Sequence, residues 1–152
     1  MTDKIKELLT GYHAIIELPV QWGDMDLANH VNNVMYARYA ESARVAYLDM
    51  LEKEGSGNFG SGIGPILAEI NIQYKMPLSY PDLMYLGTKV IEMPDAYSYL
   101  METLIVSKKY ERVATKAIAR IVSYDYGSRQ KAPTPEWLRK KVEEVEKKTF
   151  FL

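Results

Sequence analysis

The chain contains no cysteine. Disulfide frameworks, thiol nucleophiles and thiolate metal sites are therefore excluded. That absence suits a reducing compartment, and a cytoplasmic location is expected. There are only two histidines, His13 and His30. With no HExxH spacing and no Cys/His cluster, no metal site is expected. Charge of one sign is also scarce, with 19 basic residues set against 20 acidic ones. No broad positive field exists to hold a nucleic-acid backbone, so no nucleic-acid partner is expected. Long apolar runs are missing as well. Nothing approaches the ~20 residues of a membrane span, and the opening MTDKIKELLTGYHAII lacks the apolar stretch of a signal peptide.

What is present suits a folded domain. The length is 152 residues, of which 47% are hydrophobic, a composition that is neither disordered nor membrane-like. A chain of this size buries roughly 70% of the surface its unfolded form exposes. Residues 1–152 are expected to form a single domain without internal repeats.

Residues 12–22 alternate, with Ala14, Ile16, Leu18, Val20 and Trp22 on one face, which predicts a half-buried strand. A polar turn, GDMDLANHVNN, follows. Residues 34–53 then carry Tyr36, Tyr39, Ala40, Ala43, Tyr47, Met50 and Leu51 at helical spacing, with Asn32 or Asn33 as the N-cap. The glycine-rich GSGNFGSGIGP predicts a flexible loop. From residue 65 the period becomes two: Ile66, Ala68, Ile70, Ile72 and Tyr74 are expected on one face. Pro77 and Pro81 bound a turn. Residues 83–92, 97–108 and 112–125 read as three further strands, and residues 135–148 as a charged helix with Thr134 as N-cap and Pro135 in its first position. One strand, a long helix, four strands and a last helix define an α+β protein: a five-stranded antiparallel sheet packed on one long helix, plus a C-terminal helix.

The chemistry concentrates in Gln21 to Arg44, QWGDMDLANHVNNVMYARYAESAR. Two carboxylates, a histidine and three asparagines stand at or just before the start of the long helix. A helix N-terminus offers unshared N–H groups and the positive end of the dipole, which can polarise a carbonyl and stabilise an oxyanion. A nearby carboxylate can activate water or attack the carbonyl itself. The arrangement suits acyl transfer. Asp/Asn-rich turns also serve as plain helix caps, and spacing alone does not separate the two.

The segment WGDMDLANHVNNVMYARYAESAR resembles the signature of the 4-hydroxybenzoyl-CoA thioesterase family of hotdog proteins. It is also similar to the aspartate-plus-HVNN segment of plant acyl-ACP thioesterases. ILAEINIQYKMPLSYPDL, residues 66–83, looks like the family's second-strand pattern. The resemblance implies a hotdog fold, in which the sheet wraps the long helix, and a homodimer or homotetramer with sites at the subunit interface. It implies an acyl-CoA or acyl carrier protein thioester as substrate, and no cofactor. A non-catalytic acyl-CoA-binding module is the alternative outside enzymology, although it would be expected to have lost Asp26.

By that resemblance Asp26 is the catalytic carboxylate, acting as general base on water or as nucleophile. His30 matches the histidine of the plant-type motif, where it is implicated in catalysis. Asn33 matches the position whose backbone N–H binds the thioester carbonyl oxygen. Asp24 reads as a structural turn residue. Tyr36 and Tyr39 are candidates to line an acyl pocket, at a spacing that equally suits plain core. Glu41 lies three residues from both Arg38 and Arg44, and a surface ion pair is expected there. Some family members hold the CoA phosphates with a basic cluster after the third strand. Here that region reads EMPDAYSY and contains no cation. Lys75, Lys108, Lys109 and Arg112 are the remaining candidates.

Overall fold

The computed structural model describes residues 1–55 and 62–150. A short helix α1 (Asp3–Leu8) precedes β1 (Ala14–Pro19) and the long helix α2 (Asn33–Gly55). Then come β2 (Ile63–Tyr74), β3 (Leu83–Glu92), β4 (Ser98–Ser107), β5 (Arg112–Asp125), the two-residue β6 (Gln130–Lys131) and helix α3 (Glu136–Glu146). The sheet order is β1-β3-β4-β5-β2, with β6 paired to β5, and all pairs are antiparallel. This sheet, curled around α2, is a hotdog fold. Among the described residues no helix is long and apolar enough to cross a membrane.

One stripe of α2 is buried: Tyr36, Tyr39, Ala40, Ala43, Tyr47 and Leu51. Its first half packs with Val20, Val31, Leu78, Met84, Leu86 and Ile105. Its second half packs with Val90, Tyr99, Met101 and Ile121, and with Leu138 and Val142 of α3. Between the two clusters the buried Thr88 and Thr103 hydroxyls bond at 3.0 Å, so neither is left unsatisfied. Burying six such side chains on one stripe stabilises the helix far more than its propensity does.

Several elements depart from the sequence reading. Helix α1 is absent from it. Six residues carry too little periodicity to announce a helix, yet Ile5 and Leu9 bury against Tyr85, Leu104 and Val106 on the outer face of the sheet. Gly87 permits that approach, since a Cβ there would lie 2.7 Å from the Tyr12 Cβ. Trp22 does not continue β1. It opens a short helical turn, Trp22–Asp24, and stands 73% exposed.

Strand β2 contains a bulge between Leu67 and Glu69. Ile70 pairs with the buried Ala119, whereas Ile66 pairs with Val122, the neighbour of the buried Ile121. Ile66 therefore faces the opposite side from Ile70, and the single apolar face expected for residues 66–74 is split. Of the expected glycine-rich loop, Gly55 ends α2 and Ile63, Gly64 and Pro65 already belong to β2; residues 56–61 lie outside the described residues. At α3 the cap position is held by Pro135 without a side-chain bond. The Thr134 hydroxyl instead accepts from Ser123 Oγ at 3.0 Å. The Glu41 ion pair is not formed either. Arg44 is 7% exposed and turns inward, and neither Arg38 nor Arg44 lies within ion-pair distance of Glu41.

Candidate active site

After β1 the chain is tied to the residue that precedes β3, with the Val20 N–H donating to the Asp82 carbonyl at 2.9 Å. It turns through Trp22–Asp24 and folds into a small hairpin closed by the Met25–Val31 bridge. Within the hairpin the Asp26 N–H donates to the His30 carbonyl at 2.9 Å, and the Asn29 N–H to the Asp26 carbonyl at 3.0 Å. Asn29 adopts φ 56, a left-handed conformation that asparagine tolerates. The Ala28 N–H donates to Asp26 Oδ1 at 2.8 Å, an Asx turn. Asp26 and His30 thus sit across from one another at the base of a short excursion of the chain.

The hairpin is bolted to its surroundings. The Val31 N–H donates to the Leu78 carbonyl at 2.7 Å and the Asn32 N–H to the Asp24 carbonyl at 2.8 Å. Ser79 Oγ donates to the Asn29 carbonyl at 2.8 Å. Tyr39 donates its hydroxyl to Asp24 Oδ2 at 2.6 Å, so Asp24 is committed to holding the loop on α2. Burial first, and the Asp24 bond second, push the Tyr39 hydroxyl pKa upward.

Helix α2 begins directly after the hairpin. Asn32 Oδ1 accepts the Val34 N–H at 3.1 Å, and the Asn32 carbonyl accepts the Met35 N–H at 2.9 Å. Asn32 is therefore the cap. The Asn33 N–H, in the first helical residue, has no acceptor among the described residues. Tyr74, at the end of β2, donates its hydroxyl to the Asn33 carbonyl at 3.0 Å. Its ring meets that of Tyr36 edge-on, with centroids 5.2 Å apart.

These elements enclose a cleft of about 340 Å³ lined by Asp26, His30, Val31, Asn33, Tyr36, Tyr74, Lys75, Met76 and Pro77, within the usual range of small-ligand sites. A second hollow of about 480 Å³ lies on the other side of Asp26, bounded by Trp22, Gly23, Met25, Leu27 and Asn29. Of the expected site residues, Asp26, His30, Asn33, Tyr36 and Lys75 come together in the first cleft. Tyr39 does not line it. Its ring is buried beneath the loop and its hydroxyl is spent on Asp24. Tyr36 lines the cleft while its hydroxyl accepts the Leu78 N–H at 3.2 Å. Burial raises the Tyr36 pKa, the Leu78 bond lowers it, and the nearby Tyr74 and Asp26 add smaller upward contributions.

Val31, Tyr74, Met76 and Pro77 are cleft residues that the sequence reading misses. Tyr74 ends an alternating strand, and nothing local ties it to a helix start 41 residues earlier. Lys108, Lys109 and Arg112 stand exposed around the β4–β5 turn, outside the cleft. Among the described residues no three His, Cys, Asp or Glu side chains converge as metal ligands.

The curled sheet around one long helix, with this loop at the helix start, is the architecture of thioesterase-like hotdog proteins. The model of the thioesterase-like superfamily matches residues 20–142, and the chain belongs to that family. It is 26% identical over 133 residues to the long-chain acyl-CoA thioesterase FadM of Escherichia coli (strain K12), covering 86% of this chain and 98% of that protein. Among solved structures it is similar to a thioesterase from Thermus thermophilus complexed with coenzyme A and Zn, with TM-score 0.76, 23% identity, and 93% and 99% of the two chains covered. It is also similar to Slr0204, a 1,4-dihydroxy-2-naphthoyl-CoA thioesterase from Synechocystis, with TM-score 0.72, 17% identity, and 84% and 93% covered. These relatives are thioesterases, which are hydrolases.

Proposed function

We propose that the protein hydrolyses acyl-CoA thioesters in the Asp26 cleft. The observation that carries this reading is the pairing of two groups around one space. Asp26 commits one carboxylate oxygen to the Ala28 N–H, and the Asn33 N–H at the start of α2 is unshared among the described residues. A thioester carbonyl oxygen bound at Asn33 meets a backbone dipole whose pull strengthens as the oxyanion develops. Asp26 then takes a proton from water as it adds to the carbonyl carbon, or adds to that carbon itself. Collapse of the tetrahedral species expels the CoA thiolate, which takes up a proton to give the free thiol. Where water was added this leaves the carboxylic acid directly; where Asp26 was added it leaves an Asp26 acyl anhydride that a water molecule then hydrolyses to the carboxylic acid and free Asp26. His30, across the hairpin, is positioned to donate or relay that proton. Tyr36 and Tyr74 give the cleft an aromatic wall, and Lys75 is the cation nearest to hand for a phosphate.

The FadM likeness favours a long acyl chain carried on CoA, while the Slr0204 likeness keeps an aryl acyl group open. An acyl carrier protein thioester is the alternative carrier, in keeping with the HVNN resemblance. The experiment is a thiol-release assay over long-chain acyl-CoA, aryl-CoA and acyl carrier protein thioesters, run on the parent and on Asp26→Asn. Asp26→Asn keeps size and turn geometry but removes the charge. It should lower kcat by roughly 10²–10⁴-fold, the scale of a lost general base. Near-full turnover of the preferred substrate would refute the assignment of Asp26. No turnover of any thioester by the parent would refute the function.

The 152 residues are proposed as a single hotdog domain that assembles as at least a homodimer. Strand β2 lies at the end of the sheet order and spans 12 residues, with Ile66 and Leu67 both exposed. Among the described residues no strand pairs with its outer edge; a long edge of this kind is a pairing template, and a two-fold axis beside it would bring two β2 strands together.

A further inference from the structure

Asp26 stands between two hollows of unlike chemistry. The first cleft holds His30 and Lys75 beside Asn33. The second, of about 480 Å³, is walled by Trp22, Gly23, Met25, Leu27 and Asn29, and Asp26 is the only charged residue lining it. Trp22 is 73% exposed and Leu27 is fully exposed. Met25 is held in place, its sulfur accepting the Tyr80 N–H at 3.4 Å. A Cβ at Gly23 would meet no atom within 4 Å, so the space beside it is open. The chemistry proposed above uses neither Trp22 nor Leu27. Large apolar side chains left together in water at the rim of a hollow mark a surface that another apolar group covers.

A thioester has two arms that diverge from the reacting carbon. One is the acyl group, which is apolar. The other is the carrier arm, a chain of amides that ends in phosphates. With the carbon at Asp26, the arms leave in different directions, and two hollows meet at that residue. A phosphate-bearing arm suits the first cleft, where Lys75 and the His30 imidazole lie. In the second hollow the same arm would meet no cation, and its amides would lie against apolar walls without partners. An apolar arm reverses the balance. It needs no charged partner, and it takes Trp22 and Leu27 out of water.

We infer that the second hollow is the acyl subsite, with Trp22 and Leu27 as the residues that set the preference for acyl size. The inference rests on the reading of Asp26 as the site of thioester cleavage. Tyr36 and Tyr74 then flank the carrier arm. Trp22 offers a large rigid surface to an alkyl chain or an aryl ring at little cost in side-chain freedom. Leu27, at the tip of the hairpin, closes the other side. A longer chain covers more of both, so selectivity for acyl length follows from the area buried on them.

The test titrates the full chain with two thioethers that cannot be hydrolysed, S-hexadecyl-CoA and S-ethyl-CoA. Tryptophan emission is followed, and calorimetry registers binding. The chain has two tryptophans, Trp22 and Trp137, and Trp22→Ala tells them apart. S-hexadecyl-CoA should move the parent emission to shorter wavelength as Trp22 leaves water. S-ethyl-CoA should not, and Trp22→Ala should lack the shift. In thiol release, the ratio of kcat/KM on hexadecanoyl-CoA to that on butanoyl-CoA should fall about tenfold or more in Trp22→Ala and in Leu27→Ser. Both replace exposed side chains, and thermal melts check that they fold. An equal shift with both thioethers would put the carrier arm against Trp22 and overturn the inference. So would unmoved emission while calorimetry records binding, or unchanged ratios in both variants. Emission that is already at short wavelength in the free protein and moves on dilution would place a second copy over the hollow instead. No binding of either thioether would sink the subsite and the thioesterase reading together. A shift with S-hexadecyl-CoA in a protein that cleaves no thioester would keep the subsite and refute the hydrolase.

Discussion

The Tyr39 hydroxyl donates to the Asp24 carboxylate at 2.6 Å, fastening the loop before α2 to the helix itself. That bond separates the two aspartates of Gly23-Asp24-Met25-Asp26 by task. Asp24 is spent on structure, with its carbonyl also accepting the Asn32 N–H. Asp26 faces the cleft. Tyr39→Phe removes the bond with almost no change in volume. It should cost about 1.5–3 kcal/mol of stability, the range for a hydrogen bond to a charged group. Its effect on kcat should be well below that of Asp26→Asn. Thermal unfolding and thiol release, measured on the same preparations, decide the matter; a Tyr39→Phe protein as inactive as Asp26→Asn would give Tyr39 a direct part in the chemistry.

His30 contributes its backbone carbonyl to the hairpin, while its exposed side chain lines the cleft. His30→Ala therefore leaves the hairpin bond in place. The expected result is a kcat lower by about 10²-fold with little change in melting temperature. Unchanged kcat with a lowered melting temperature would assign the side chain to bracing the loop.

Glu102 lies on the outer face of the sheet, its side chain 10% exposed. It accepts the Tyr12 hydroxyl at 2.6 Å and pairs with Lys116 at 3.0 Å and Lys89 at 3.5 Å. Burial raises its pKa, but the Tyr12 bond and the two lysines outweigh that and hold it below the ordinary value of 4.5. A carboxyl with a depressed folded-state pKa adds stability that is present above its unfolded value. That stability is lost as pH falls through the unfolded and then the folded value. Glu102→Gln should thus destabilise the protein by about 1–3 kcal/mol at neutral pH. The difference from the parent should shrink as pH is lowered below 4.5. Urea titrations at neutral and acid pH measure it; a gap that does not change with pH would remove charge from the explanation.

Arg44 buries a guanidinium without an ion-pair partner among the described residues, and burial lowers its pKa. An unpaired buried charge costs stability that an apolar side chain of similar length does not. Arg44→Met should raise protomer stability by about 1–3 kcal/mol. Urea unfolding read at a concentration below assembly tests this; a clear loss of stability would mean that the guanidinium is solvated or paired in solution.

Much of this protein is local in origin and is legible without tertiary structure. The helical spacing of Tyr36 to Leu51 and the period-two run of β1 arise from how side chains alternate along a single element. The Asp26–Asn33 loop is legible for the same reason, because asparagine and aspartate cap helices and turn chains through bonds to their own near neighbours. Bonds between distant segments leave no such sign. The bulge in β2 is a matter of pairing with β5 and moves Ile66 to the other face without altering the residue pattern. Arg44 is three residues from Glu41, as an ion pair requires, yet packing turns it inward. Tyr74 and Lys75 join the cleft because the end of β2 returns to the start of α2, a closure that depends on the whole sheet order. The sequence by itself determined which groups stand at the start of the helix. Only the tertiary structure decided which of them face open space, because that depends on what other segments cover.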